Sequence, residues 1–317
     1  MATHMTKILL LGKNGQVGWE LQRSLSVLGE LIALDRHSTA LCGDISDLPG
    51  LAATVRSVKP DVIVNAAAHT AVDKAESEPD LALTLNALAP QVLAEEAAQL
   101  GAWLVHYSTD YVFDGSGDTP WRESDAVGPL SVYGRTKLEG EQLVAASGAQ
   151  HLIFRTSWVY GARGGNFAKT MLRLAQERDR LTVINDQFGA PTGADLIADV
   201  TAHAIRQVLQ QSAHTRTATA ATTPATSTSC SGIYHLVAAG ETTWFNYAKH
   251  VLTEVKQGRS ATKIKATEVL PVPTSAFPTA ATRPHNSRLA TQKLQDTFGL
   301  TLPPWQAGVN RMLAEIL

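Results

Sequence analysis

Tyr133 and Lys137 stand four residues apart in Tyr133-Gly-Arg-Thr-Lys137, a spacing that puts a phenol and an ammonium on one helix face, within reach of each other. A free tyrosine has a pKa of about 10, and a nearby ammonium favours the phenolate and lowers that value. The pair therefore suits proton exchange with a reacting oxygen nearer neutral pH. On its own the pattern is common on exposed helices. Two other features give it chemical meaning: a hydroxyl residue upstream, Thr109 within Ser108-Thr109-Asp110-Tyr111, and a glycine-rich turn near the N-terminus.

That turn, Gly12-Lys-Asn-Gly15-Gln16-Val17-Gly18, follows the apolar run Lys7 to Leu11 and precedes an amphipathic segment that begins at Trp19. Strand, glycine turn and helix in this order let backbone amides and the positive helix end approach a pyrophosphate. The register Gly-x-x-Gly-x-x-Gly differs from the usual Gly-x-Gly-x-x-Gly of dinucleotide sites. A second apolar run ends in Asp35, placed to accept from a ribose hydroxyl, whereas Arg36 and His37 could meet a 2'-phosphate. Both NADH and NADPH stay open. Asp44, in Gly43-Asp44-Ile45, either caps the helix expected over Leu48 to Val58 or lies beside the adenine.

Further strands are expected at Asp61 to Asn65, Trp103 to Tyr107 and His151 to Arg155, with helices between them and Gly101 as a helix stop. The small residues Ala66 to Ala68, then His69 and Thr70, lie at the end of the third strand, where ligands bind in open α/β sheets. Thr109 arrives at the same edge, where a hydroxyl could hold a carbonyl oxygen. Trp158, after the fifth strand, either covers a sugar or base or packs in the interior. Strand-helix alternation predicts an α/β, Rossmann-type doubly wound parallel sheet over residues 1–160. A smaller C-terminal substrate-binding portion takes residues 161–317, with some segments returning to the core. Residues 211–231, rich in Ala, Thr and Ser, read as a mobile insertion.

The 317 residues carry a formal net charge of -2, 44% hydrophobic and 18% charged residues, an ordinary globular composition with no pull towards nucleic acid or anionic membrane. Two cysteines, Cys42 and Cys230, supply neither a disulfide scaffold nor a four-ligand zinc site and fit a reducing compartment. With no apolar run of membrane-spanning length and no signal-peptide pattern, the expected location is cytoplasmic.

Together Gly12, Gly15, Gly18, Thr109, Tyr133 and Lys137 resemble the extended short-chain dehydrogenase/reductase family. So do Asn65-Ala-Ala-Ala-His-Thr70, Ser108-Thr-Asp-Tyr-Val-Phe113, Arg155-Thr-Ser-Trp158 and Asp186-Gln-Phe-Gly-Ala-Pro-Thr192. The resemblance, which spans all but residues 211–231, implies reduction of the C4 ketone of dTDP-4-dehydro-β-L-rhamnose to dTDP-β-L-rhamnose by NADPH or NADH. It implies that Tyr133 gives the proton, that Lys137 holds the nicotinamide ribose and lowers the tyrosine's pKa, and that Thr109 binds the C4 oxygen. Gly15, Gln16, Val17, Asp35, Asp44, Ile45, Ala68, His69 and Thr70 would line the dinucleotide, and Asp110 and Trp158 the sugar nucleotide. Magnesium-linked homodimers are implied as well, with Glu20 and Asp195 as ligand candidates, although Gln306 stands where a further acid is expected. Dehydration of the sugar is disfavoured, because Asp110 is followed by Tyr111 rather than by glutamate. An epimerase, or a dinucleotide-binding regulatory subunit, remains compatible with the same residues.

Overall fold

The computed structural model describes residues 5–218, 230–258 and 263–317. Five strands, β1 (Lys7–Leu11), β2 (Glu30–Leu34), β3 (Val62–Asn65), β4 (Trp103–Thr109) and β5 (Gln150–Thr156), join one late strand in a single sheet. With β6 (Arg180–Ile184) lying outside that sheet, the late strand is β7 (Gly232–His235), and the order is β7-β5-β4-β3-β1-β2. All neighbours are parallel. The central strands carry unbroken apolar runs because both faces are covered. Ile8, Leu10, Val62, Val64 and Val105 pack with Ile197 and Ile205 on one face, while Leu9, Leu11, Ile63 and Leu104 pack with Leu51, Val55 and Leu93 on the other. The order changes direction beside β1, and the crevice at that switch point opens at the strands' carboxyl ends.

Helix α1 (Gln16–Leu25) starts directly after the glycine turn, and α2 (Leu48–Val58) is capped by Asp47, whose carboxylate accepts from the Gly50 amide at 3.0 Å. Asp44 is not that cap. Its carboxylate accepts from the amide and hydroxyl of Ser46, two residues on, which closes a local turn instead. The alanine-rich stretch from Pro79 is not one regular helix. A π-helical turn over Thr84–Leu88 interrupts it before α3 (Ala89–Leu100), which stops at Gly101 with φ +67. Inside that turn Asn86 is fully buried; its side chain accepts from the His69 amide at 2.9 Å and donates to the His69 carbonyl at 3.2 Å. The irregular turn thus fixes the loop that leaves β3.

Helix α4 (Val132–Ala146) carries the Tyr133/Lys137 pair and is capped by Ser131, which accepts from the Gly134 amide at 3.2 Å. Longer helices that follow it are α5 (Phe167–Glu177), α6 (Ala194–Ala218), α7 (Trp244–Gln257), α8 (Gln292–Phe298) and α9 (Trp305–Ile316). Helix α6 carries residues 211–218 of the expected insertion in helical form; residues 219–229 of it lie outside the described residues. Residues of α5, β6, α7 and α9 make a second core around Leu172, Val183, Tyr247, Val251 and Val309. Strand β6 pairs in parallel with β8 (Glu268–Val272). Among the described residues, no helix is long and apolar enough to cross a membrane.

Gly140 is where α4 sits on the π-helical turn: a Cβ there would collide with the Asn86 carbonyl oxygen. Because a backbone oxygen cannot step aside as a flexible side chain can, Gly140→Ala is expected to cost about 1–3 kcal/mol. A lowered urea midpoint for the variant checks this; an unchanged midpoint would mean that α4 does not bear on that turn.

Candidate active site

Lys137 is buried to 2% exposure, and its amine donates to the Tyr107 carbonyl at 2.5 Å while lying 3.2 Å from Nε2 of His106. Burial lowers its pKa to about 8, against a smaller raising effect of Glu141 one turn further on. Tyr133 does not follow the sequence expectation. Burial pushes its phenol up to about 12, and the group that lowers it is the neighbouring hydroxyl of Thr109, not the lysine, whose amine is turned to the floor of the sheet. Helical spacing brings two side chains to one face, but it does not decide which way a long side chain turns.

Thr109 ends β4 in register with Thr156 of β5, and its hydroxyl donates to Asp110 at 3.1 Å and accepts from the Tyr111 amide at 3.2 Å. Asp110 is buried to 2% exposure; desolvation raises its pKa to about 6, opposed by the neighbouring hydroxyls of Ser287 and Thr109. Tyr111 meets Tyr133 edge-on, with ring centroids 5.5 Å apart, and forms part of the wall of a hollow of about 520 Å³. Trp158 lines the same hollow. It has a left-handed backbone, φ +49, and stacks on Trp244 at 3.7 Å, so that its ring is both packed and presented to the cavity. Arg178, Arg180 and Arg283 put cations on the walls. Arg283 also makes a two-pronged ion pair with Asp73, at 2.6 Å for each arm, and this holds Asp73 down at about 2.

At the switch point the residues fit a dinucleotide. Gly12 has φ +85, and a Cβ there would lie 2.8 Å from the Ala66 and Ala67 backbone. Gly15 caps α1 without a side chain, and no acid occupies the helix's first turn. The amides of Gln16, Val17 and Gly18 thus begin a helix whose positive end is left for an anion. The Asp35 carboxylate already accepts from the His37 amide at 2.9 Å, the Ser38 hydroxyl at 3.2 Å and the Asn14 side chain, while Arg36 is exposed beside it. Ile45 and His69 are buried, Ala68 is partly covered and Thr70 is exposed at the loop surface.

Glu20 and Asp195 line one hollow of about 380 Å³, but each stands next to an arginine, Arg23 and Arg311 respectively, at 3.6 Å. Gln306 is exposed. Among the described residues no group of three His, Cys, Asp or Glu side chains is arranged to hold a metal ion, so the residues present do not themselves compose a magnesium site. His106, Asn86, Tyr111, Trp244, Asp73 and Arg283 escaped the sequence reading as site residues. Only Tyr111 had a local signal, its place in the Ser-Thr-Asp-Tyr run; the others are joined by contacts across 17 to 210 residues of chain.

A parallel sheet with a glycine turn after its first strand, and a Tyr-x-x-x-Lys helix beside a strand-end threonine, defines a nucleotide-dependent short-chain dehydrogenase/reductase type. The chain belongs to the family described as the RmlD substrate binding domain, whose model matches residues 5–317. It is 59% identical over 309 residues to dTDP-4-dehydrorhamnose reductase of Shigella flexneri, covering 98% of this chain and 97% of that one. The enzyme of the same name from Escherichia coli K12 is 57% identical over the same shares. Among solved structures, a dTDP-4-dehydrorhamnose reductase from Clostridium acetobutylicum superposes with TM-score 0.83 at 35% identity, covering 98% of this chain and 99% of the other. The Bacillus anthracis reductase in complex with NADP gives 0.82 at 32%, covering 98% and 100%.

Asp110 generates a pH test. Its folded value of about 6 lies above the ordinary 3.8, so ionising it costs native stability. That cost is nearly absent at pH 4, builds up through pH 6 and is complete above it. At about 1.36 kcal/mol per pKa unit, Asp110→Asn should stabilise the fold by about 2–3 kcal/mol at pH 8 and hardly at all at pH 4. Urea melts at the two pH values measure this, and equal gains at both would refute it.

Proposed function

We propose that this chain reduces the C4 ketone of dTDP-4-dehydro-β-L-rhamnose to dTDP-β-L-rhamnose with NADPH or NADH. The observation that carries the reading is the Tyr133 phenol set beside the Thr109 hydroxyl at the end of β4, next to the tryptophan-lined hollow. Supporting it, relatives that bear the reductase name match 98% of the chain, and a structural neighbour holds NADP.

A bound reduced nicotinamide supplies hydride to the C4 carbon. As the carbonyl becomes an alkoxide, negative charge develops on the oxygen, and the Tyr133 hydroxyl, joined by the Thr109 hydroxyl once it turns from Asp110, would donate to it. Such donors hold the charged oxygen more strongly than the neutral ketone, which is what lowers a barrier rather than merely tightening binding. A phenol near 12 keeps its proton at neutral pH, yet it can yield it to an alkoxide, which is a stronger base than a phenolate. Reduction therefore does not require a phenolate; it requires a protonated Tyr133 next to the oxygen. Lys137 would hold the nicotinamide ribose. Asp110 would accept from a sugar hydroxyl, and the Trp158/Trp244 surface with Arg178, Arg180 and Arg283 suits a base and a diphosphate. The amides of Gln16 and Val17 would hold the cofactor's pyrophosphate. On this reading residues 1–160 mainly carry the dinucleotide and residues 161–317 mainly the sugar nucleotide, with α6 and β7 returning to the first half.

Tyr133→Phe should lower kcat/KM for the keto sugar by about 10²–10⁴-fold while leaving NADPH binding, followed by fluorescence, intact. A variant that turns over at the native rate would remove Tyr133 as the proton donor. For the cofactor, the carboxylate of Asp35 is already occupied by three protein donors, while the exposed Arg36 spends only its Nε on the His37 ring, at 3.2 Å, and keeps its terminal nitrogens for a phosphate, so Arg36→Ala should raise KM for NADPH about tenfold, roughly one ion-pair contact of 1.4 kcal/mol, and leave that for NADH unchanged. Equal effects on both would contradict this assignment.

A further inference from the structure

Trp158 has a left-handed backbone, φ +49, a conformation that a bulky side chain keeps only where its surroundings hold it there. Much of that hold comes from the run Asp186-Gln-Phe-Gly-Ala-Pro-Thr192. The Thr192 amide donates to the Trp158 carbonyl at 3.2 Å. Gly189 lies against the indole: a Cβ built on it would stand 2.8 Å from Cε2 and 3.0 Å from Cζ2. Cε2 is a ring-fusion atom, and an approach in the ring plane would bring Cζ2 nearer than Cε2, so Gly189 covers a face of the ring. Trp244 covers the other. Its ring stacks on Trp158 with centroids 3.7 Å apart and 17° between the planes, which leaves no room for Gly189 on that side. Trp244 is itself held. Its Nε1–H donates to Gln187 Oε1 at 3.1 Å, the Gln187 amide donates to Thr274 Oγ1 at 3.1 Å, and that hydroxyl donates to Asp186 at 2.6 Å. With Gln187 buried, this one-way chain of donors fixes which end of its amide meets the indole.

An indole covered on both faces has only its edge to offer a ligand, and that edge carries the Nε1–H, a donor with no acceptor capacity. Trp158 lines the hollow, and among the described residues nothing accepts its N–H. We propose that Gly189 and Trp244 are positioning residues that grip Trp158 by both faces, so that it recognises the sugar nucleotide through its edge, with Nε1–H donating to a ligand oxygen, rather than through its ring face. That role rests on the hollow being a sugar-nucleotide site, as proposed above. Two flat neighbours leave the indole no room to rock. The direction of its N–H is therefore set before the ligand arrives, and little side-chain freedom is lost on binding. A ligand without an oxygen at that point leaves the donor unpartnered, which gives the contact discrimination as well as affinity. Glycine at position 189 answers to the ring that lies on it.

Proton–nitrogen correlation of the full chain with nitrogen-labelled indoles reads the contact directly, the Trp158 signal being assigned by its loss in Trp158→Phe. With NADPH and dTDP-β-L-rhamnose, a dead-end pair that does not turn over, the Trp158 Nε1–H signal should move downfield, as an N–H does on gaining an acceptor. An upfield shift, the ring current of a base lying over the indole, or no shift while the sugar nucleotide's own signals show binding, would overturn the inference and leave the hollow as the sugar-nucleotide site. A chain that neither binds dTDP-β-L-rhamnose nor reduces the keto sugar would remove both. In the steady state Gly189→Ala, whose methyl displaces the ring, should raise KM for the keto sugar about tenfold, with kcat within about twofold and NADPH binding unchanged; an unchanged KM contradicts the clamp. Trp244→Leu should raise KM likewise, and Trp244→Phe, which keeps a flat face, should recover most of the loss. Equal values for the two would take Trp244 out of the role. Where a variant does not fold, the indole shift of the native chain decides.

Discussion

The ion pair between Arg155 of β5 and Glu141 of α4 sets the helix that carries Tyr133 onto the sheet edge that carries Thr109. Both partners are at most 3% exposed, three hydrogen bonds of 2.6–3.2 Å join them, and the guanidinium lies over the Phe113 ring at 5.0 Å. Two charges at this depth are costly to desolvate, so such a pair adds little net stability, but losing either member strands the other. Its value is in register. One turn before Glu141, Lys137 is anchored to the Tyr107 carbonyl, and one turn before that Tyr133 stands beside the Thr109 hydroxyl. Three positions on one helix face thus meet the ends of two adjacent strands.

That geometry assigns burial, rather than charge, the dominant part in the electrostatics of the site. Desolvation raises Tyr133 and Asp110 and lowers Lys137 and His106, each in the direction of its uncharged form. A dry site strengthens hydrogen bonds to whatever charge the reaction creates, because little water competes for it. A phenol that stays protonated suits the reductive direction, in which a proton has to be supplied and none has to be removed.

The parallel sheet, its glycine turn and the placement of Thr109, Asp110, Tyr133 and Lys137 at one edge were legible because each rests on short-range regularities. Apolar runs mark strands buried on both faces, glycines mark the turn, and i,i+4 spacing marks a helix face. Three matters were not legible, each for a physical reason. The direction of the Lys137 amine depends on a carbonyl 30 residues away. The π-helical turn around Asn86 answers to a loop and to the facing Gly140, not to the helix-forming alanines around it. Trp158 left two choices open in sequence, ligand cover or interior packing, and with its left-handed backbone the ring both stacks on Trp244, 86 residues on, and lines the hollow. Asp44 is a smaller case: it is a turn former, and the cap it was weighed for is supplied by Asp47.

The central claim is that this framework reduces a ketone at C4 of a dTDP-linked sugar. NADPH deuterated at the transferable position of its nicotinamide, incubated with dTDP-4-dehydro-β-L-rhamnose and the intact chain, tests it most directly by NMR of the sugar product. The expected result is dTDP-β-L-rhamnose with one deuterium, bound to C4, and stoichiometric oxidation of the cofactor. A product free of deuterium, or an isomerised keto sugar formed with no net cofactor oxidation, would contradict it.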